Sequence, residues 1–237
     1  ITRGDFMKKK AFTLAEVLIT LGIIGVVAAI TIPSLITKYQ QRETVTKLKD
    51  TYSIITNAVR LSEAENGDLS GWDLSNGKSY ENFDNLIFPY LKNSSRKFNG
   101  GTISYLRPDG KTKESSFTVL AQGGYSYTLL SGVQLFVPSN VNKNWIGVLI
   151  DLNGYSRRPN QMGRDAFYLL IYPGLGVQFN QYNDSEYNSG KIVFKTREQL
   201  KDGPAQYSNQ CNKKGKGMWC GALIQRDGWQ ISKDYPW

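Results

Sequence analysis

Histidine is absent from the 237 residues, and this single absence removes whole classes of chemistry. Without it, Ser-His-Asp and Cys-His nucleophiles and His-ligated metals are excluded. Cysteine occurs only at 211 and 220, too few ligands for a zinc site with no histidine to complete it. No Walker A sequence and no G-x-G-x-x-G fingerprint occurs, so the common phosphate-cradling loops are missing too. No local spacing supports Ser-Lys or paired-carboxylate catalysis, and an enzyme is not expected. Acidic side chains are also scarce, 20 against 29 basic ones, for a net charge of +9.

Charge is scarcest between Phe12 and Ile36, where 25 residues carry a single ionisable group, Glu16. As a helix this stretch is roughly 37 Å long, enough to cross a bilayer core of about 30 Å. It is too long for the apolar core of a secretory signal peptide, and no A-x-A cleavage site follows it. Lys8, Lys9 and Lys10 precede the span, which predicts a cytoplasmic N-terminus and an exported remainder. Pro33 removes one helix hydrogen bond, so a kink or local unwinding is expected there. Gly22 and Gly25 permit close helix contact. A plain anchor explains the length and the lysines but not Glu16, because an acid inside such a span needs a partner and a function.

The run Phe12-Thr13-Leu14-Ala15-Glu16, preceded by lysines and followed by Pro33, resembles the N-terminus of the type IV pilin and pseudopilin family. The resemblance implies a leader cut by a prepilin peptidase between Ala11 and Phe12, then methylation of the new amino group. Ala11 departs from the family's usual glycine before the cut, but it is still small. Met7 reads as the start, with residues 1 to 6 as upstream translation. The resemblance further implies that Glu16 pairs with the Phe12 ammonium of a neighbouring subunit. In a low dielectric such a pair is favoured over either charge alone, and a slipped register would leave both unpaired. The implied partners are like or related pilin subunits, the peptidase, the inner-membrane assembly platform and membrane lipid.

Helical character continues past the span. Val45, Leu48, Tyr52, Ile55 and Val59 recur at spacings of three and four, with Lys47, Lys49, Asp50, Asn57 and Arg60 on the other face. Asn66-Gly67 is a helix stop. Residues 37–66 are therefore expected to be the amphipathic half of a helix roughly 80 Å long, whose transmembrane half is 12–36, after a leader of 1–11. The repeat is too short for a coiled coil, so residues 67–237 must cover the apolar stripe.

That region reads as one β-rich domain. A short helix is expected between Phe83 and Leu91. Strands are expected at Thr102–Arg107, Ser116–Ala121, Tyr125–Leu130, Gln134–Val137, Trp145–Leu152, Phe167–Tyr172, Gly176–Gln181 and Ile192–Thr196. Ala222–Arg226 and Trp229–Ser232 around Asp227-Gly228 carry a hairpin signal. No helical stretches separate the strands, so the fold class is α+β: a pilin-like long helix packed against an antiparallel sheet.

Three loops carry candidate sites. Cys211 and Cys220 bound a basic, Gly-rich octapeptide that can close as a disulfide in an oxidising compartment. The family resemblance implies the same pairing near the C-terminus. Lys213, Lys214 and Lys216 lie inside that loop, and Arg157 with Arg158 lie in another. Such patches attract DNA or anionic surfaces, or are simply solvated. Residues 1 to 11 carry four positive and one negative side chain, so the rest of the chain is still +6. Between two expected strands, Asp151, Asn153, Asn160 and Asp165 gather oxygen donors. The resemblance implies a calcium loop, as in some type II secretion pseudopilins, although Arg157, Arg158 and Arg164 oppose a cation. The other reading is a turn held by Asx hydrogen bonds and Asp–Arg pairs.

Two functional classes follow. One is a structural subunit of a type IV pilus or type II secretion pseudopilus, at the inner membrane and then in an extracytoplasmic filament. The alternative is a membrane-tethered extracytoplasmic binding module that never polymerises.

Overall fold

The computed structural model describes residues 13–74, 79–92, 94–99, 103–114, 124–137, 145–182, 194–203 and 208–237. The chain divides between Gln41 and Arg42 into two compact units. One helix, α1, runs Leu14–Asn66 through both. Its end is where Gly67, at φ +86°, takes the left-handed conformation that L side chains avoid.

In the first unit α1 is apolar on all sides, and Leu14, Leu18, Ile19, Ile24 and Ile30 are exposed. It is long and apolar enough to cross a membrane. Three of its threonines bond to carbonyls of the same helix. Thr20, Thr31 and Thr37 donate to the carbonyls of Val17, Val27 and Pro33 at 2.9, 2.9 and 3.0 Å. That arrangement suits lipid, where an unpaired polar group costs several kcal/mol. Of the kink or local unwinding expected at Pro33, the unwinding is absent: the helix continues through it without a break. Proline itself lacks the one N–H donor.

The second unit is built on a six-stranded antiparallel sheet. Its strands are β1 (Ser95–Asn99), β4 (Gly124–Thr128), β5 (Gln134–Val137), β6 (Ile146–Asp151), β7 (Ala166–Tyr172) and β8 (Gly176–Phe179), in that spatial order. A ribbon of β2 (Tyr105–Leu106) and β3 (Lys113–Glu114) turns at Pro108-Asp109-Gly110, where the Asp109 carboxylate accepts the N–H groups of Lys111 and Thr112. One face of the sheet, including Leu135, Val148, Phe167 and Leu169, packs with Leu48, Ile55 and Val59 of α1 in a single apolar core. The helix stripe read from the sequence is thus covered as expected. Tyr52 stacks on Phe179 at 5.3 Å and donates its hydroxyl to the Val177 carbonyl at 3.0 Å, tying α1 to strand β8.

The opposite face is buried as well. Phe136, Leu149 and Ala166 pack against Ile103, Tyr105 and Met162 from the ribbon and the β6–β7 loop. Every residue of β6 is buried in consequence. This explains its uninterrupted apolar sequence, where a one-sided strand would alternate.

Several expectations need correction. The region after Cys220 is not a hairpin. Cys220–Arg226 is a helix, called α4 here, with Cys220, Gly221, Ala222, Leu223 and Ile224 all buried. Asp227-Gly228 then ends that helix: the Trp229 N–H reaches the Ile224 carbonyl at 2.9 Å and Gly228 reaches Gln225 at 3.1 Å, a Schellman closure. A dipeptide that favours positive φ serves a helix end as well as a hairpin, and five consecutive apolar or small residues decided for the helix. The strand expected at Ile192–Thr196 is also absent at Phe194–Thr196. Thr196 instead caps α3 (Arg197–Asp202) with a Thr196–Gln199 capping box. The first strand of the ribbon is shorter than Thr102–Arg107, and Gly176–Gln181 stops at Phe179. The short helix, α2 (Ser79–Asn82), begins earlier than expected and runs on as a wide turn at Phe83–Ile87 and a tight one at Phe88–Tyr90. Ser116–Ala121 lies outside the described residues.

Candidate assembly segment and acid-lined loop

Glu16 has a local function that the sequence reading missed. The side chain of Thr13 accepts the Glu16 N–H at 3.2 Å. In return, the Glu16 carboxylate accepts the Thr13 N–H at 2.8 Å and its hydroxyl at 2.9 Å. This is a reciprocal capping box on the first turn of α1, and T-x-x-E at 13–16 was its sequence signal. Only one carboxylate oxygen, Oε2, makes these bonds. Ala11 and Phe12, the expected processing residues, lie outside the described residues. Thr13→Val should remove the cap side chain at a cost of about 1 kcal/mol. Amide exchange at residues 14–17 in detergent micelles should then speed up about fivefold, and unchanged exchange would show that the cap does not hold the turn.

The four residues Asp151, Asn153, Asn160 and Asp165 come together at the end of the β6–β7 pair. Asp151 is 0% exposed and Asp165 6% exposed. Asp151 accepts the Tyr105 hydroxyl at 3.0 Å and the Asn153 N–H at 3.2 Å. Asp165 accepts the Asn160 N–H at 2.8 Å, the Gln161 N–H at 2.5 Å and the Asn153 side-chain amide at 3.2 Å. The Asx bonds of the turn reading are therefore present. Its Asp–Arg pairs are not: among the described residues no Lys or Arg forms a salt bridge with either aspartate. Arg157 and Arg158 are exposed, and the Arg164 guanidinium lies over the Trp237 ring at 5.4 Å. Burial first, and then the Asp165 charge, push Asp151 up to about 7, and burial also raises Asp165. The side-chain oxygens of Asn153 and Asn160 are buried and accept no hydrogen bond. Two carboxylates and two unused amide oxygens are a donor set that fits a hard cation. Among the described residues no three His, Cys, Asp or Glu side chains cluster as a metal site.

The loop is held from several sides. Gly163 sits at φ +81°, and a Cβ there would meet the Cys220 sulfur at 2.7 Å and the Tyr235 hydroxyl oxygen at 3.0 Å. Tyr235 donates to the Gly163 carbonyl at 2.5 Å, and Thr44 of α1 donates to that of Arg164 at 3.2 Å. The C-terminal residues are clamped in turn by Arg197, which pairs with Asp227 at 2.6 Å and Asp234 at 2.7 Å. None of these long-range contacts had a sequence signal.

Cys211 and Cys220 are joined in a disulfide, and both are fully buried. Within the loop they close, Lys213 and Lys214 are exposed, while Lys216 is half-buried and its N–H donates to the Ser208 carbonyl at 2.6 Å.

A long apolar N-terminal helix with a capped acid in its first turn, continuing into a domain built on an antiparallel sheet, defines a pilin-like protein. The prokaryotic N-terminal methylation motif matches residues 6–32, which places the chain in the class that carries the prepilin-type signal. Residues 34–237 match the family of unknown function DUF6613, and the chain belongs to that family. No curated protein and no solved structure matches it.

Proposed function

We propose that the chain is a structural subunit of a type IV pilus or type II secretion pseudopilus. The observation that carries this reading is the methylation motif over residues 6–32, leading directly into an apolar helix with Glu16 in its first turn. In this reading residues 1–11 are a leader, 12–36 span the membrane, 37–66 carry the stripe that seats the domain, and 67–237 are exported. A prepilin peptidase cuts between Ala11 and Phe12, and the lysines 8–10 leave with the leader. The freed Phe12 ammonium of one subunit then meets Glu16 of the next. The capping box engages Oε2, which leaves Oε1 to accept that ammonium while the helix end stays closed.

N-terminal sequencing of the cell-derived protein tests the processing step. A mature start at N-methylated Phe12 is expected. Retention of Lys8–Lys10 would overturn the filament reading in favour of a membrane-tethered module.

A further inference from the structure

Three basic loops that lie far apart in the sequence meet in the second unit. The β2–β3 ribbon joins the β6–β7 loop through two backbone bonds of 2.8 Å, Leu106 N–H to the Asn160 carbonyl and Met162 N–H to that of Leu106. The Gln161 side chain adds a third bond, donating to the Pro108 carbonyl at 2.9 Å. The disulfide loop closes on both at Gly217, where a Cβ would meet Pro108 Cγ at 2.6 Å and Met162 Cβ at 3.0 Å. Within a few residues of this junction each loop carries an exposed pair of cations: Lys111 and Lys113, Arg157 and Arg158, Lys213 and Lys214. None of the six forms a salt bridge among the described residues. Residues 105–114, 152–165 and 211–220 together hold nine Lys and Arg against three acids. Two of those acids are engaged elsewhere: Asp109 accepts N–H groups of its own turn, and buried Asp165 accepts those of Asn160 and Gln161. Like charges gathered on adjoining loops repel one another unless a polyanion or counterions offset them.

We propose that these three loops form one binding surface for duplex DNA, held through its phosphates. The partner follows from what accompanies the cations. Among the described residues of the three loops no large apolar side chain is exposed, so nothing there can enter a lipid surface. No aromatic ring is exposed there either: Tyr155 is half-buried, its ring tilted on that of Tyr105 at 5.6 Å. Single strands are held by stacking on such rings, so they find no platform here. What remains is point charges on loops tied to one another, which suit a phosphate backbone and read no base sequence. In the sequence the lysines of the disulfide loop and the arginines of the β6–β7 loop stand as separate patches. The packing of Gly217 between Pro108 and Met162 brings their loops together and adds the ribbon. This surface goes beyond filament membership and does not depend on it.

The test is fluorescence anisotropy of an end-labelled DNA duplex of about 30 base pairs, titrated with the detergent-solubilised full chain at several potassium chloride concentrations. Saturable binding is expected, with an affinity that falls as salt rises at a logarithmic slope of about −5 if all six cations meet phosphates. Three double variants probe the loops one at a time: Lys111→Gln with Lys113→Gln, Arg157→Gln with Arg158→Gln, and Lys213→Gln with Lys214→Gln. Each should weaken binding and flatten the slope by about 2, with an unchanged melting midpoint because the positions are exposed. Lys38→Gln, on the exposed apolar half of α1, should change neither. No binding at low salt would overturn the proposal, as would a loss confined to one loop, which would deny a shared surface. Tighter binding of the single strand would overturn the duplex reading. Displacement of the duplex by polyglutamate of equal total charge would show an unselective ion exchanger, and displacement by phosphatidylglycerol added to the micelles would assign the surface to lipid; either result overturns the proposal.

Discussion

Glu16→Ala is expected to give a folded, membrane-inserted subunit that enters filaments at least about a hundredfold less often than the wild type. The reason is the charge left behind. Breaking one side of a buried ion pair costs about 3–5 kcal/mol, because the remaining charge stays in a low dielectric without a partner. In the proposed filament the remaining charge is the Phe12 ammonium of the neighbouring subunit. Glu16→Ala also removes the acceptor that caps Thr13, so it tests two effects at once. Glu16→Gln separates them, since glutamine serves a capping box but carries no charge. Sheared-filament yield, measured against subunit in the membrane, should fall for both variants. A normal yield from Glu16→Gln would assign the acid to helix capping alone and end its proposed role between subunits.

The double variant Cys211→Ser, Cys220→Ser should lower the stability of the second unit by about 2–4 kcal/mol. Closing a loop of this size restricts the unfolded chain by about 2–3 kcal/mol. Each new hydroxyl also occupies a site that is 0% exposed. The sulfur of Cys220 faces Gly163, so the acid-lined loop should loosen along with α4. For a domain of this size the melting midpoint should drop about 5–15 °C. Reductant should lower the wild-type midpoint in the same direction. Mass spectrometry of unreduced wild type should show no free thiol. A midpoint that neither mutation nor reductant moves would show that the bond contributes nothing.

The legible parts of this chain were those set by local pattern. The three-four recurrence of Val45, Leu48, Tyr52, Ile55 and Val59 identified the buried face of α1, and Asn66-Gly67 its end. The strands β5, β6 and β7 were placed within a residue or two, because β-branched and aromatic runs bounded by turn residues have few other uses. Local pattern failed where one signal serves two structures. Asp227-Gly228 closes a helix or a hairpin equally well, and only the burial of Cys220–Ile224 decides between them. At Thr13–Glu16 too one acid carries two signals, an ordinary T-x-x-E cap and a charge within an apolar span.

By itself the sequence determined the class of protein: an apolar span interrupted by one acid, preceded by lysines and followed by an amphipathic helix. Those features depend on hydrophobicity and spacing along one chain, which need no knowledge of distant contacts. It also brought Asp151, Asn153, Asn160 and Asp165 under suspicion by composition. Only the tertiary structure decided what surrounds them. Burial removes water from the two carboxylates, Tyr105 arrives from 46 residues away, and Tyr235 reaches Gly163 across 72. Whether a charge is paired, and whether an amide oxygen has a donor, depends on groups remote in sequence that packing brings within about 3 Å.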